Sequence, residues 1–127
     1  MAYKIIWESP SSIWVRFSGT VTFNETVNAT NAVYADFRSD QIKSALWDFS
    51  AIDDFSVAER EVEEMAATDH AASLYMKPMR AAFILTDPRL KSLGEQYIAF
   101  MLEMGSPWQN RLFENLTDAR KWVETLH

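Results

Sequence analysis

Cysteine is absent from this chain of 127 residues, and glycine occurs only three times. Without thiols there is no disulfide framework, no thiolate metal site and no cysteine nucleophile, a composition that suits a reducing compartment. The chain has no Gly-rich phosphate-binding loop and no G-x-S-x-G nucleophile elbow. No apolar run approaches the ~20 residues that a membrane span requires. The opening MAYKIIWESPSS has one Lys and an apolar run that stops before Glu8, so it lacks the features of a secretory signal. Basic residues number twelve against eighteen acidic ones, for a formal net charge of -6. A surface that neutralises phosphates needs the opposite balance, so nucleic acid is not an expected partner. A cytoplasmic location with no cofactor is the expectation.

What the chain does have is apolar and aromatic bulk: 48% hydrophobic residues, with five Trp and eight Phe. A chain of this length buries about two-thirds of the surface its unfolded form exposes, enough for one core without metal or disulfide staples. No linker, repeat or low-complexity segment interrupts it, so residues 1–127 are read as one domain.

YKIIWE (3–8) and SIWVRFSG (12–19) are rich in β-branched and aromatic residues, and the SPS between them is a turn, so the chain opens with a β-hairpin. Alternation in the second run places Ile13, Val15 and Phe17 on one face and Trp14, Arg16 and Ser18 on the other. The period then changes: Thr22 and Glu25 form a capping box, and Val27, Thr30, Tyr34 and Phe37 recur at helical spacing. IKSALWDF (42–49) reads as a strand ending at Asp48, followed by a helix from about Val57 to Tyr75 with Val62, Met65, Ala66 and Ala72 inward. AAFILT (81–86) is apolar almost throughout, as a strand covered on both faces would be, and is placed at the centre of the sheet. Asp87 with Pro88 starts a third helix and Gly105 with Pro107 stops it. NRLFEN (110–115) is a short strand, and Thr117 is assigned as the cap of a last helix whose apolar face is Ala119, Trp122, Val123 and Leu126. The order ββαβαβαβα predicts an α/β fold: a mainly parallel, mixed five-stranded sheet with an N-terminal hairpin and four helices.

The stretch DFSAIDDFSVAE (48–59) concentrates polar chemistry at the entrance to the second helix. Ser56 and Glu59 have capping-box spacing, so Ser56 is read first as a helix cap. Asp48, Asp87 and either Asp53 or Asp54 would supply oxygen ligands for Mg2+ if they converged, but turn formation and capping explain them more simply, and no metal site is assigned. His70 and His127 are the only imidazoles, and neither sits in a nucleophilic motif. No catalytic residue is assigned.

The third helix is harder to explain as scaffold. Leu90, Leu93, Tyr97, Phe100, Met101 and Met104 make one face, and Ile98 and Leu102 widen it beyond the stripe that packing on a sheet needs. Surplus apolar surface marks a partner interface, a lipid pocket or a membrane-facing helix. A homodimer is one way to cover it.

The element order, the IDDFS at the start of helix two and the ending RLFENLTDARKWVETL together resemble the SpoIIAA-like family, small bacterial proteins whose fold is related to the STAS domain and compared with the CRAL-TRIO lipid carriers. The resemblance covers essentially the whole chain and implies a STAS-like fold. It also implies an apolar ligand cavity, with membrane association when the helical cover moves. On that basis the leading expectation is a non-enzymatic module that holds a lipid-like or other apolar molecule between the sheet and helices two and three. Its wall would be Phe55, Leu74, Leu93, Tyr97, Phe100, Met101 and Trp108, with Lys77 and Arg80 for an anionic head group.

The alternative is a STAS-like regulator of the anti-sigma-factor-antagonist type, docking a protein partner through Asp53, Asp54 and Ser56. Those antagonists carry an apolar-Asp-Ser-Ser-Gly motif in which one Ser accepts phosphate. Here Ile52 and Asp53 match its start, Asp54 and Phe55 stand at the two serines, and Ser56 falls on the glycine, so a one-residue slip is needed to make Ser56 the acceptor.

Overall fold

A computed structural model describes residues 2–125. Leu126 and His127 lie outside the described residues.

The chain forms strands β1 (Tyr3–Ser9) and β2 (Ser12–Thr22), helix α1 (Phe23–Ala35), a single 3-10 turn (Ser39–Gln41), β3 (Ser44–Ser56), α2 (Glu59–Ser73), β4 (Arg80–Ile84), α3 (Pro88–Glu103), β5 (Gln109–Phe113) and α4 (Leu116–Glu124). The five strands lie side by side in chain order, β1 antiparallel to β2 and every later pair parallel. The α/β class, the hairpin and the mainly parallel mixed sheet are therefore those the sequence predicts. No helix among the described residues is long and apolar enough to cross a membrane.

Strand alternation decides which helices go where. Ile13, Val15 and Phe17 from β2, with Ala45, Trp47 and Phe49 from β3, point to the face covered by α1, α2 and α3. Leu46, Ala82 and Ile84 point to the other face, where Ala119 and Val123 of α4 close a smaller second cluster. Gly94 brings α3 close to the sheet: a Cβ there would lie 2.7 Å from Leu85 Cδ1 and 2.9 Å from Leu112 Cδ2.

The structure corrects several expectations. The middle strand is β3, not β4, although β4 is covered on both faces. β3 does not end at Asp48: its pairing with β4 stops there, opposite Ile84, but the strand continues alongside β2 to Ser56. Asp48 allows this by bending the strand locally, its Oδ1 accepting from Ser50 N–H (3.0 Å) and Ser50 Oγ (2.6 Å). The register against β2 slips there and again beyond Gly19, whose φ of 68° is open to glycine without strain.

Because β3 runs on, α2 starts at Glu59 rather than Val57, and it ends at Ser73 rather than Tyr75. Ser56 is not its cap. The capping position is Ala58, which has no side-chain acceptor, and the Glu61 carboxylate accepts from the Ala58 N–H at 2.8 Å. α4 is capped by Asn115, whose Oδ1 accepts from Asp118 N–H at 2.8 Å, not by Thr117. Phe37 lies beyond the end of α1 and is 90% exposed instead of continuing its apolar face. Thr22 does cap α1, accepting from Glu25 N–H at 3.3 Å, and Asp87 caps α3, accepting from Arg89 N–H at 2.8 Å.

Candidate functional site

The C-terminal edge of the parallel strands gathers the end of β3 and the first turns of α2 and α3. Asp53, Asp54 and Ser56 are all exposed there, while Phe55 between them is buried against Phe49, their rings edge-on with centroids 5.6 Å apart. Period-two alternation thus buries Phe55 as an anchor and turns Asp54 and Ser56 to solvent. Arg89, in the first turn of α3, donates to the Phe55 carbonyl and approaches Asp54 Oδ1 at 3.7 Å. That pair is mostly exposed and worth little by itself, but the carbonyl bond ties the segment to α3. The Ser56 hydroxyl has no hydrogen-bond partner among the described residues.

The other carboxylates do not join this group. Asp48 is buried on the α4 side of the sheet, where its Oδ2 accepts from Trp14 Nε1 at 3.0 Å, and Asp87 is occupied as a cap. Among the described residues no group of three or more His, Asp or Glu is placed to hold a metal ion.

The gap between the sheet, α2 and α3 is lined entirely by apolar surface and brings together Phe55, Leu93 and Tyr97 with Met65, Phe83 and Leu90. Its volume is about 50 Å3, against roughly 300 Å3 or more for a small-molecule pocket. The remaining residues assigned to a ligand wall lie outside this gap: Met101 and Trp108 line a groove of about 310 Å3 beside β5, and Lys77 and Arg80 line another of about 410 Å3. Leu74 follows α2 and is 66% exposed, Phe100 is half-buried at the rim of the core, and Met101 is fully packed. Trp108 is buried with its Nε1 donating to the Lys77 carbonyl at 3.3 Å. The Lys77 side chain is exposed, and Arg80 is committed to holding α4, donating from Nη1 to the Trp122 and Thr125 carbonyls at 2.7 Å each. The surplus apolar face of α3 is therefore mostly core, with Leu102, at 73% exposure, and Met104 left outside.

One polar cluster escaped the sequence reading. Asp69 of α2 accepts from Tyr34 Oη of α1 and Tyr97 Oη of α3, each at 2.6 Å, so one carboxylate joins all three helices of this layer. Burial raises the Asp69 carboxyl to about 6, even though both tyrosine hydroxyls favour its charged form. Burial, reinforced by the neighbouring carboxylate, also pushes both tyrosine hydroxyls up. The signal was present in the spacing: Val62, Ala66, Asp69 and Ser73 recur on the inward side of α2, and an aspartate in that series needs donors.

A mainly parallel five-stranded sheet with three helices on one face and one on the other matches a SpoIIAA-like, STAS-type fold. No family model and no curated protein matches the chain in sequence; the likeness lies in structure. An uncharacterized DUF3478-family protein with a SpoIIAA-like fold from Shewanella loihica PV-4 superposes with a TM-score of 0.56 at 18% identity, over 96% of this chain and 92% of its own. The anti-sigma factor antagonist SpoIIAA in its unphosphorylated form superposes with a TM-score of 0.62 at 9% identity, over 98% of this chain and all of its own.

Proposed function

We propose that this chain is a non-enzymatic regulatory protein of the STAS type. It docks a protein partner through the segment leading into α2, centred on Asp53, Asp54 and Ser56, and phosphate on Ser56 switches the contact. The observation that carries this reading is Ser56 itself: it closes β3, faces solvent and caps nothing, so its hydroxyl is open to modification. The fold shared with an anti-sigma factor antagonist described in an unphosphorylated form supports the same reading. A phosphate at Ser56 would lie just ahead of the positive end of the α2 dipole, with the Arg89 guanidinium already seated on the adjacent Phe55 carbonyl. The acidic first turn of α2, with Glu59 and Glu61, opposes it, which helps make the modified state different from the unmodified one. The lipid-carrier reading has less behind it, because the apolar gap has a volume of about 50 Å3 and the residues assigned to its wall are divided between separate cavities.

The test is affinity capture with three immobilised chains: wild type, Ser56→Ala and Ser56→Glu. The proposal predicts a protein retained by wild type and Ser56→Ala and lost from Ser56→Glu, with all three melting alike. Equal retention by all three, or a partner unaffected by Asp53→Arg and Asp54→Arg, would contradict it.

A further inference from the structure

The sheet ends in an open edge whose surroundings are those of a strand-binding groove. Among the described residues β5 pairs with β4 alone. Gln109 N–H donates to the Met79 carbonyl and Leu85 N–H donates to the Phe113 carbonyl, so Gln109, Arg111 and Phe113 turn their peptide groups toward β4. In a parallel pair the alternate residues must then point the other way. The N–H and C=O groups of Asn110 and Leu112 accordingly face away from β4, on the side where no further strand pairs with β5 among the described residues.

Beside this edge lies a groove of about 310 Å3, with Ile98 and Leu102 of α3 on one side and Trp122 of α4 on the other. Leu112 packs with the α3 side and Phe113 with the α4 side, so an added strand would send alternate side chains to these two walls. The groove also contains an unpaired acceptor: Asn110 Oδ1 is enclosed and has no hydrogen-bond partner. Arg111 is the one charged side chain in the lining. It has no carboxylate partner among the described residues and lies 5.3 Å from the centre of the Phe113 ring.

We propose that the β5 edge receives an extended segment of a partner protein as a sixth strand, with apolar side chains against Ile98 and Leu102 and an acidic side chain opposite Arg111. Backbone pairing supplies affinity and the alternate side chains supply selection, as in other strand-addition complexes. A second copy of this chain fits less well. The twofold register that pairs all five β5 residues sets Arg111 against Arg111, and like charges directly opposite are destabilising. An edge arginine also discourages self-pairing. This site is on a different edge from the segment around Ser56, and the two can fail independently.

The test uses the full 15N-labelled chain and two capped synthetic peptides, Ser-Thr-Ile-Glu-Ile-Thr-Ser and the same peptide with Lys in place of Glu. The Glu peptide is expected to shift the Asn110 and Leu112 amides and to slow their hydrogen exchange, while Arg111 N–H, already bonded to β4, changes little. Replacing Glu by Lys should weaken binding roughly three- to tenfold, and Arg111→Glu should reverse the preference. Arg111 is exposed, so that variant keeps the fold, which its amide spectrum will verify. Absence of the alternating pattern at millimolar peptide, or equal affinity for both peptides, overturns the proposal. So does a free chain that is already a dimer with those two amides protected, which would make a second copy the occupant.

Discussion

At the scale of single residues, two side chains separate structural from functional roles. Asp69 is held by two tyrosine hydroxyls in a buried setting that raises its carboxyl to about 6, above its usual 3.8. Between those values the folded state binds more protons than the unfolded chain, so this group's contribution falls as pH rises from about 4 to about 6 and is flat beyond. The expected size is on the order of 3 kcal/mol. Asp36 works in the opposite sense and in a lower window: hydrogen bonds from Arg38 depress its carboxyl to about 2, so that contribution is lost only in stronger acid. Urea denaturation across this range should therefore show Asp69→Asn gaining on the wild type from pH 4 to pH 7. Parallel stability profiles for the two chains would contradict the burial of the carboxylate. The second side chain is Ser56. Because it caps nothing, Ser56→Ala should change stability by less than about 0.5 kcal/mol, whereas Glu61→Ala, which removes the bond to Ala58 N–H, should cost about 0.5–1 kcal/mol.

At the scale of elements, helix starts carry the clearest test. Asn115→Ala should destabilise by about 1 kcal/mol and Thr117→Ala by much less, the reverse of what the sequence spacing predicts; equal losses in a thermal melt would count against the observed cap. Gly94→Ile should cost about 1–3 kcal/mol, because Leu85 and Leu112 stand where its Cβ would go. Element type and order were legible because hydrophobic period and capping pairs are local: the Thr22–Glu25 and Asp87–Pro88 signals both mark true helix starts. The extension of β3 was not legible, because Asp and Ser in DFSAIDDFS are turn formers by local preference and become strand only through pairing with the long β2. The same nonlocal pairing moved the start of α2 and removed Ser56 from its cap.

At the scale of the whole molecule, the sheet divides the surface into parts with different work. The α1–α3 layer is joined through Asp69, and the gap between the sheet, α2 and α3 has a volume of about 50 Å3. Of the residues assigned from sequence to a ligand wall, Phe55, Leu93 and Tyr97 share one gap and Met101 and Trp108 line a separate groove, because helical spacing reports which face is apolar and not whether that face meets one cavity, another or a packed sheet. The segment Asp53, Asp54 and Ser56 is marked by its composition, whereas the exposure of Asp54 and Ser56 follows from strand alternation around buried Phe55. We propose this segment as a phosphate-controlled docking surface. Its most direct test is phosphopeptide mapping of the chain isolated under phosphatase inhibition from the cells that make it, across growth conditions. The expected result is phosphate on Ser56 in a condition-dependent fraction of the chains. A Ser56 that stays unmodified in every condition, or phosphate placed only on other residues, would contradict it.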